Sequence, residues 1–291
     1  MATDTVASIA TALAAAINAQ NILPVTASAA TDTITLTAKN HGLVGNGIDI
    51  RLNYLGLPGD ERTPAGLELT ITAMHDGAGA PDITGALANL QDRTFDFIVN
   101  PYDDTSSLDA MKEFLSDISG RWAWDKQLYG HSFGTTAGTY AQLGTKGEVR
   151  NNQHETLMGV NKSPSPTWLW SAGYTGAAAV SLRNDPGRPV QSLAILGVLA
   201  PALQDRFELT ERNNLLYSGI STFTVDDDGT VRIENLITTY QKNAYGDADD
   251  SYLEVETLFS LMFVTRYLRT AVTSKFGRMK LAADGTRFAP G

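Results

Sequence analysis

Residues 130–134 read GHSFG and are the part of the chain most like a catalytic motif. The pattern G-x-S-x-G marks a nucleophilic serine on a sharp turn between a strand and a helix, and such a serine needs an acid and then a histidine base after it in the chain. Only His154 follows Ser132, and the only carboxylate between them is Glu148, six residues before the histidine. That spacing is too short for the separate loops of a hydrolase, so we predict no catalytic residue and keep a serine esterase that uses Ser132 as an alternative.

Two other segments have some features of a cofactor or metal site. Residues 77–82 form a glycine-rich loop, but Asp82 stands where a dinucleotide-binding loop has its third glycine. A carboxylate there would repel a pyrophosphate, and Asp82 is better explained as a helix N-cap. Residues 226–228 are three aspartates, yet calcium-loop spacing puts Asn235 where a glutamate is required. We therefore predict a turn there, a solvated acidic loop at residues 247–250, and no metal or cofactor.

Four tryptophans occur as two pairs, Trp122 with Trp124 and Trp168 with Trp170. In an extended segment, a spacing of two places both rings of a pair on one side. Such rings could stack on a sugar, so a carbohydrate-binding adhesin module is a second alternative function. Because large aromatic side chains are more often buried or at interfaces, we favour core or interface packing.

The composition excludes several other classes of protein. The chain has no cysteine, which excludes disulfides and thiolate chemistry, and its formal net charge of -10 disfavours nucleic acid and anionic membrane surfaces as partners. Its 291 residues suffice for one large or two modest domains. Residues 6–17 are alanine-rich with interspersed polar side chains, which predicts an amphipathic helix, capped by Thr3 or Asp4, in place of a signal peptide or a membrane span.

The elements that would position these residues divide the chain in two. Residues 1–75 contain the predicted helix and three β-like runs at residues 33–38, 47–54 and 66–73, which indicates a small, β-rich α+β domain, incomplete at its N-terminus. Residues 76–291 alternate short apolar runs with helical patterns. This alternation predicts an α/β domain with a mostly parallel or mixed sheet flanked by helices. The predicted strands are residues 95–99, 127–132 and 155–160, and the predicted helices are residues 106–118, capped by Ser106 with Asp109, a helix within 135–145, and one from Thr167.

The last third of the chain predicts a helix at residues 209–217, a hairpin at about 222–240 around an Asp-Gly turn, and a long helix at about 252–275. Basic residues gather at the end of the long helix. They are either a solvated helix end that complements the helix dipole or a docking surface for an acidic face of a neighbouring subunit. The residues concerned are Arg266, Arg269, Lys275, Arg278 and Lys280.

Several segments, in this order and spacing, resemble the tail sheath protein of Mu-like contractile-tailed bacteriophages. The resemblance runs through most of the chain, and its C-terminal third is the most specific part. It is carried by HG at residues 41–42, GNGIDIRLNY at 45–54, FDFIV at 95–99 with PY at 101–102, GHSF at 130–133, ERNN at 211–214, GIST at 219–222, ITTYQ at 237–241 and SYLEVET at 251–257.

The resemblance implies a structural subunit without catalysis. Such subunits assemble as stacked rings around a rigid tail tube and slide into a shorter, wider array on contraction, which drives genome delivery. The implied partners are other copies of the sheath protein, the tail tube protein, and the baseplate and tail terminator proteins. The implied location is the virion, after synthesis in the host bacterial cytoplasm.

Members of this family also carry terminal arms that pair as extra strands with neighbouring subunits. The chain differs from that pattern at both ends, so we expect a fragment that lacks the N- and C-terminal regions. Without arms, strand addition between subunits would be lost, and we expect a monomer or a weak oligomer. As the tube-facing or neighbour-facing surface we predict the basic end of the long helix described above.

Overall fold

A helix packed on a hairpin begins the part of the chain that the computed structural model describes, residues 4–279. Helix α1 (Val6–Ala19) starts after Thr5, which exchanges capping hydrogen bonds with Ser8, so the predicted cap at Thr3 or Asp4 is wrong. Strands β1 (Val25–Ala30) and β2 (Thr33–Ala38) pair antiparallel. The side-chain amide of Asn18 joins α1 to β1 through both the N–H and the carbonyl of Ala27, each at 2.8 Å.

The predicted strands at residues 47–54 and 66–73 are wrong. Short 3-10 helices, Leu43–Gly47 and Leu57–Gly59, interrupt this region, and no strand forms between residues 39 and 83. An alternating pattern yields a strand only where another strand offers backbone partners. Neither run pairs with a strand, and beside them Asn46 bonds both backbone groups of Gly77 at 2.8 and 2.9 Å. The division into a domain at residues 1–75 and one at 76–291 stays a prediction.

The α/β prediction for the rest of the chain is confirmed. Strands β3 (Phe97–Val99), β4 (His131–Ala137) and β5 (Glu155–Val160) form a parallel sheet in the order β3-β4-β5. The connections carry helices, as parallel strands require. Helix α2 (Thr84–Ala88) precedes β3. Helices α3 (Thr105–Leu115), α4 (Tyr140–Glu148) and α5 (Thr167–Asn184) follow β3, β4 and β5, respectively.

Two local predictions in this domain fail for backbone reasons. The strand predicted at residues 127–132 begins only at His131, because Gln127 and Tyr129 have φ of 52° and 54°, outside the range of a strand. Helix α3 begins after Asp104, whose carboxylate accepts the N–H of Ser107 at 2.9 Å, so the predicted cap at Ser106 is wrong.

The sheet is covered on both faces, as the alternation of residues along β5 demonstrates. Leu157 packs with residues of α3, α4 and helix α6 (Leu209–Tyr217), whereas Met158 packs with residues of α5, of strands β6 (Thr222–Val225) and β7 (Val231–Asn235), and of helix α7 (Val255–Phe276). Neighbouring residues of a strand point to opposite faces, so β5 separates two apolar clusters. The larger cluster is centred on the fully buried Trp170 and Tyr174 of α5.

The C-terminal elements match their predictions closely. They are α6 (Leu209–Tyr217), the antiparallel pair β6 (Thr222–Val225) and β7 (Val231–Asn235), and α7 (Val255–Phe276). The hairpin is shorter than predicted, since β7 ends at Asn235. The following residues instead bond to two other parts of the domain, with the N–H of Thr239 on the carbonyl of Glu155 and the N–H of Thr238 on that of Leu253, both at 2.8 Å.

Candidate functional site: an assembly surface

The serine motif lies inside the sheet. Ser132 is the second residue of β4 and only 1% exposed, and its N–H donates to the carbonyl of His154 at 2.9 Å as part of the sheet ladder. A nucleophile elbow requires the serine at a strand-to-helix turn with its hydroxyl exposed. The esterase interpretation of this motif is therefore wrong, and Gly130, with φ of 122°, serves to turn the chain into the strand.

The two histidines beside this motif are structural. His131 is fully buried, with Nε2 2.8 Å from the Thr156 hydroxyl, and His154 lies 2.9 Å from Asp117 and stacks on Trp122. Burial lowers the pKa of His131 well below its ordinary value, and the charge of His154 lowers it further. His131 is thus held neutral in the folded protein.

This burial predicts acid sensitivity. The unfolded chain binds a proton at a normal histidine pKa of about 6.5 while folded His131 does not, so the free energy of unfolding should decrease as the pH falls below about 6.5, by up to about 1.4 kcal/mol per pH unit. Urea melts between pH 5 and 8 measure this slope. His131→Gln should reduce it, whereas His41→Gln, at an exposed histidine that forms no ion pair within residues 4–279, should leave it unchanged. Equal slopes in wild type and His131→Gln would contradict the assignment.

The glycine-rich loop leads into α2, and residues 226–228 lie in the turn of the C-terminal hairpin. Asp82 accepts the N–H of Thr84 at 2.9 Å just before α2, but the N-cap of that helix is Ile83, so the predicted N-cap role of Asp82 is wrong. Asp228 accepts the N–H of Thr230 at 2.9 Å within the hairpin turn. Among residues 4–279, no group of three or more histidines, aspartates or glutamates is arranged to hold a metal ion. In the same range, no helix is both long and apolar enough to cross a membrane.

The tryptophan pairs do not form a sugar-binding platform. Trp168 and Trp170 lie in α5, where a spacing of two places side chains on different faces, and Trp170 is buried. The Trp122 ring stacks on His154 while Trp124 is 84% exposed. Core packing is confirmed for Trp170, and the adhesin interpretation loses the paired rings on which it depended.

Three of the residues that carry the family resemblance, Arg212, Thr239 and Gln241, fasten the C-terminal segments to the rest of the domain. The Thr239 hydroxyl is 3.1 Å from the buried carboxylate of Glu155, and the Gln241 amide donates to the carbonyls of Gly147 and Arg150 at 2.9 and 3.1 Å. Arg212 pairs with Glu234 of β7 at 2.8 Å. These contacts hold the body of the domain together.

The basic residues of α7 have different environments. Arg266 forms a double hydrogen bond with Asp96 at 2.9 and 2.6 Å, which raises its pKa, and lies over the ring of Tyr129. Arg269, Lys275 and Arg278 are exposed and form no ion pair within the described residues. Lys280 lies outside the described residues. The prediction that these five residues face the tube or a neighbour stays a prediction, and Arg266 is already engaged within the chain.

Beside Arg266, an open groove of about 700 Å³ separates α7 from β3 and the end of α5. Its walls include Phe95, Leu182 and Phe263, and its charged residues are Asp96, Arg183 and Arg266. The sequence could not predict this groove, because Asp96 and Arg266 are 170 residues apart. Beyond it, α7 exposes several apolar side chains to solvent: Phe263, Tyr267, Leu268, Val272 and Phe276, each at least 43% exposed.

Comparisons with known proteins identify the family. A family model described as the phage tail sheath protein central domain matches residues 76–239, more than half of the chain. The Mu-like prophage FluMu tail sheath protein of Haemophilus influenzae is 43% identical over 288 residues, which cover 99% of this chain and 58% of that protein. The chain thus spans little more than half the length of this relative.

Two solved structures are also similar to the chain. The sheath tail protein of Desulfitobacterium hafniense has 16% identity and a TM-score of 0.46, covering 86% of this chain and 51% of that chain. The helical sheath of the anti-feeding prophage in its contracted state has 13% identity and a TM-score of 0.46, covering 68% and 53%. The family assignment rests on the family model and the Haemophilus relative: this chain belongs to the phage tail sheath family.

Proposed function

We propose that the chain is a structural subunit of a contractile tail sheath. Copies would assemble around a tail tube in the virion and slide into a shorter, wider array that drives genome delivery. The observation that carries this proposal is the match of residues 76–239 to the central domain of sheath proteins. The name of the Haemophilus relative, a tail sheath protein, supports it.

The construction of the domain suits such a role. A sheath subunit must move as a rigid body while its contacts with neighbours change. Rigidity here comes from a sheet covered on both faces and from buried ionic contacts, such as that of Arg150 with Glu155 at 2.8 and 2.9 Å. The bodies would rotate as units, and the energy of contraction would come from larger contacts between them.

The proposed partners follow from the same role. They are other copies of the sheath protein, the tail tube protein, and the baseplate and terminator proteins that would begin and end the array. The net charge of -10 disfavours nucleic acid and anionic membranes as partners. Synthesis in the host bacterial cytoplasm belongs to the same proposal, as does a monomeric or weakly associating state of the 291-residue chain by itself.

Electron microscopy tests the function directly. Deleting the gene from the phage or prophage that carries it should leave particles whose tail tubes are bare, and a plasmid copy should restore the sheath. Ser132→Ala in the plasmid copy is a useful control, because a conservative change at a buried serine should still permit sheaths. Particles that keep complete sheaths after the deletion would refute the proposed function.

A further inference from the structure

The distal half of α7 forms a basic surface with apolar side chains. Between Thr257 and Met279 the sequence contains four cationic residues and no carboxylate. Arg266 is neutralised by Asp96, which leaves three exposed cations beside exposed aromatic and aliphatic side chains. We define the distal α7 surface as Leu268, Arg269, Val272, Lys275 and Phe276, which share one side of the helix.

A second surface has the opposite charge. The amide of Gln241 donates to the carbonyls of Gly147, Arg150 and, at 3.4 Å, Ser218, so it brings together the ends of α4 and α6 and the loop at residues 242–250. The adjoining side chains are exposed: Val149, Tyr217 and Tyr245 are 77%, 79% and 91% exposed. We define the acidic loop surface as Glu148, Val149, Tyr217, Tyr245, Asp247 and Asp250.

The charge of the acidic loop surface is well defined. Glu148, Asp247 and Asp250 are exposed. Asp249 accepts a hydrogen bond from the Tyr240 hydroxyl at 2.6 Å, which raises the pKa of Tyr240 to about 12. The only exposed cation of this loop is Lys242. Carboxylates therefore outnumber cations, next to three large exposed apolar or aromatic side chains.

The two surfaces lie at opposite ends of α7. The ring of Tyr240 stacks edge-on against Tyr252 at 5.4 Å, and Ile237 bridges to Glu254, so the acidic loop is fastened beside the first turn of the helix. Arg269 and Lys275 lie 14 and 20 residues after Val255, the first residue of α7, which at 1.5 Å per residue is about 21 and 30 Å along the helix. At that separation the basic and acidic surfaces of one molecule cannot meet, but those of two molecules can.

On the basis of the sheath function proposed above, we propose that the distal α7 surface binds the acidic loop surface of a second copy of this chain, in a head-to-tail contact. Both surfaces combine exposed aromatic side chains with charges of opposite sign, the arrangement that steers and orients a protein interface. A contact between two different surfaces of the same chain leaves one of each free at the ends, and it generates rings or helical arrays instead of closed dimers. Rings and arrays are what a sheath requires.

Charge reversal tests the contact. Arg269→Glu with Lys275→Glu makes both surfaces of a molecule acidic, and Asp247→Lys with Asp250→Lys makes both basic. Sedimentation velocity on the 291-residue chain, up to about 1 mM because that is the weakest useful affinity, should detect self-association of the wild type. Each double variant alone should associate at least about tenfold more weakly, a loss of about 1.4 kcal/mol, and an equimolar mixture of the two should associate again.

The matched control for Arg269→Glu with Lys275→Glu is Lys39→Glu with Arg62→Glu, which lowers the net charge by the same amount at exposed residues outside both surfaces and should leave association unchanged. Thermal melts establish that each variant is folded. A wild type that stays monomeric at the highest concentration, or a mixture that does not associate, would overturn the inference. Placing the variants in the phage separates the two proposals: sheaths that form normally with either reversed surface refute this contact alone, whereas sheaths that persist without the gene refute the function.

Discussion

Replacing Glu155 with alanine should lower the free energy of unfolding by about 3–5 kcal/mol, the usual cost of leaving a buried charge unpaired. Glu155 is 1% exposed at the start of β5, and both of its oxygens accept hydrogen bonds from Arg150. Burial would lower the pKa of Arg150, but the hydrogen bonds and charges of Glu155 and Asp109 outweigh it and raise that pKa. Without Glu155, the guanidinium keeps only the half-exposed Asp109 at 2.7 Å.

The loss should extend beyond the ion pair, because the Thr239 hydroxyl, which fastens the segment after β7, also contacts Glu155. The matched control is Asp205→Ala, which breaks the pair with the 68%-exposed Lys162 and should cost at most about 1 kcal/mol. The double change Arg150→Met with Glu155→Leu should cost less than Glu155→Ala alone, since no charge remains buried. Urea denaturation measures all three, and equal costs for Glu155→Ala and Asp205→Ala would contradict the prediction.

The elements predicted correctly are those whose local residue pattern is sufficient to assign them. Strand β5 and helix α6 have the predicted bounds, and α5 begins at the predicted Thr167, after two prolines that stop the preceding segment. Residues 157–160 of β5 read LMGV, and an apolar run of this kind needs burial wherever it lies, so it can be assigned without its partners. The family resemblance likewise depends only on short segments in a given order and spacing, which are present in the sequence itself.

Features that depend on distant partners were missed. The run at residues 66–73 has strand periodicity but no neighbouring strand, while β1, with the sequence VTASAA, was missed because small residues carry little β signal. The same limit applies to the candidate site. The basic residues of α7 are visible in the sequence, but Asp96, which neutralises Arg266, and the acidic surface at the other end of the helix become visible only in the fold.

The junction of α4 and α6, from which the acidic loop surface projects, should not tolerate a single added methyl group. In Gly147→Ala, the new Cβ would overlap the carbonyl oxygen of Ser218 and lie 2.9 Å from Cγ1 of Ile220. Neither atom is free to retreat, because the same carbonyl accepts the Gln241 amide and Ile220 is fully buried. We expect a loss of about 3 kcal/mol in the free energy of unfolding, the upper end for an overpacked core.

The same helix provides the control. In Gly144→Ala, one turn earlier in α4, the added Cβ meets no atom within 4 Å. Alanine is the better helix former, so this change should stabilise the protein by about 0.5–1 kcal/mol. Urea melts of the two variants should therefore shift in opposite directions although the chemical change is identical. A destabilisation shared by both variants would mean that the backbone of α4, and not its contact with Ser218, requires glycine at residue 147. The junction would then lose its assigned role in positioning the acidic loop surface.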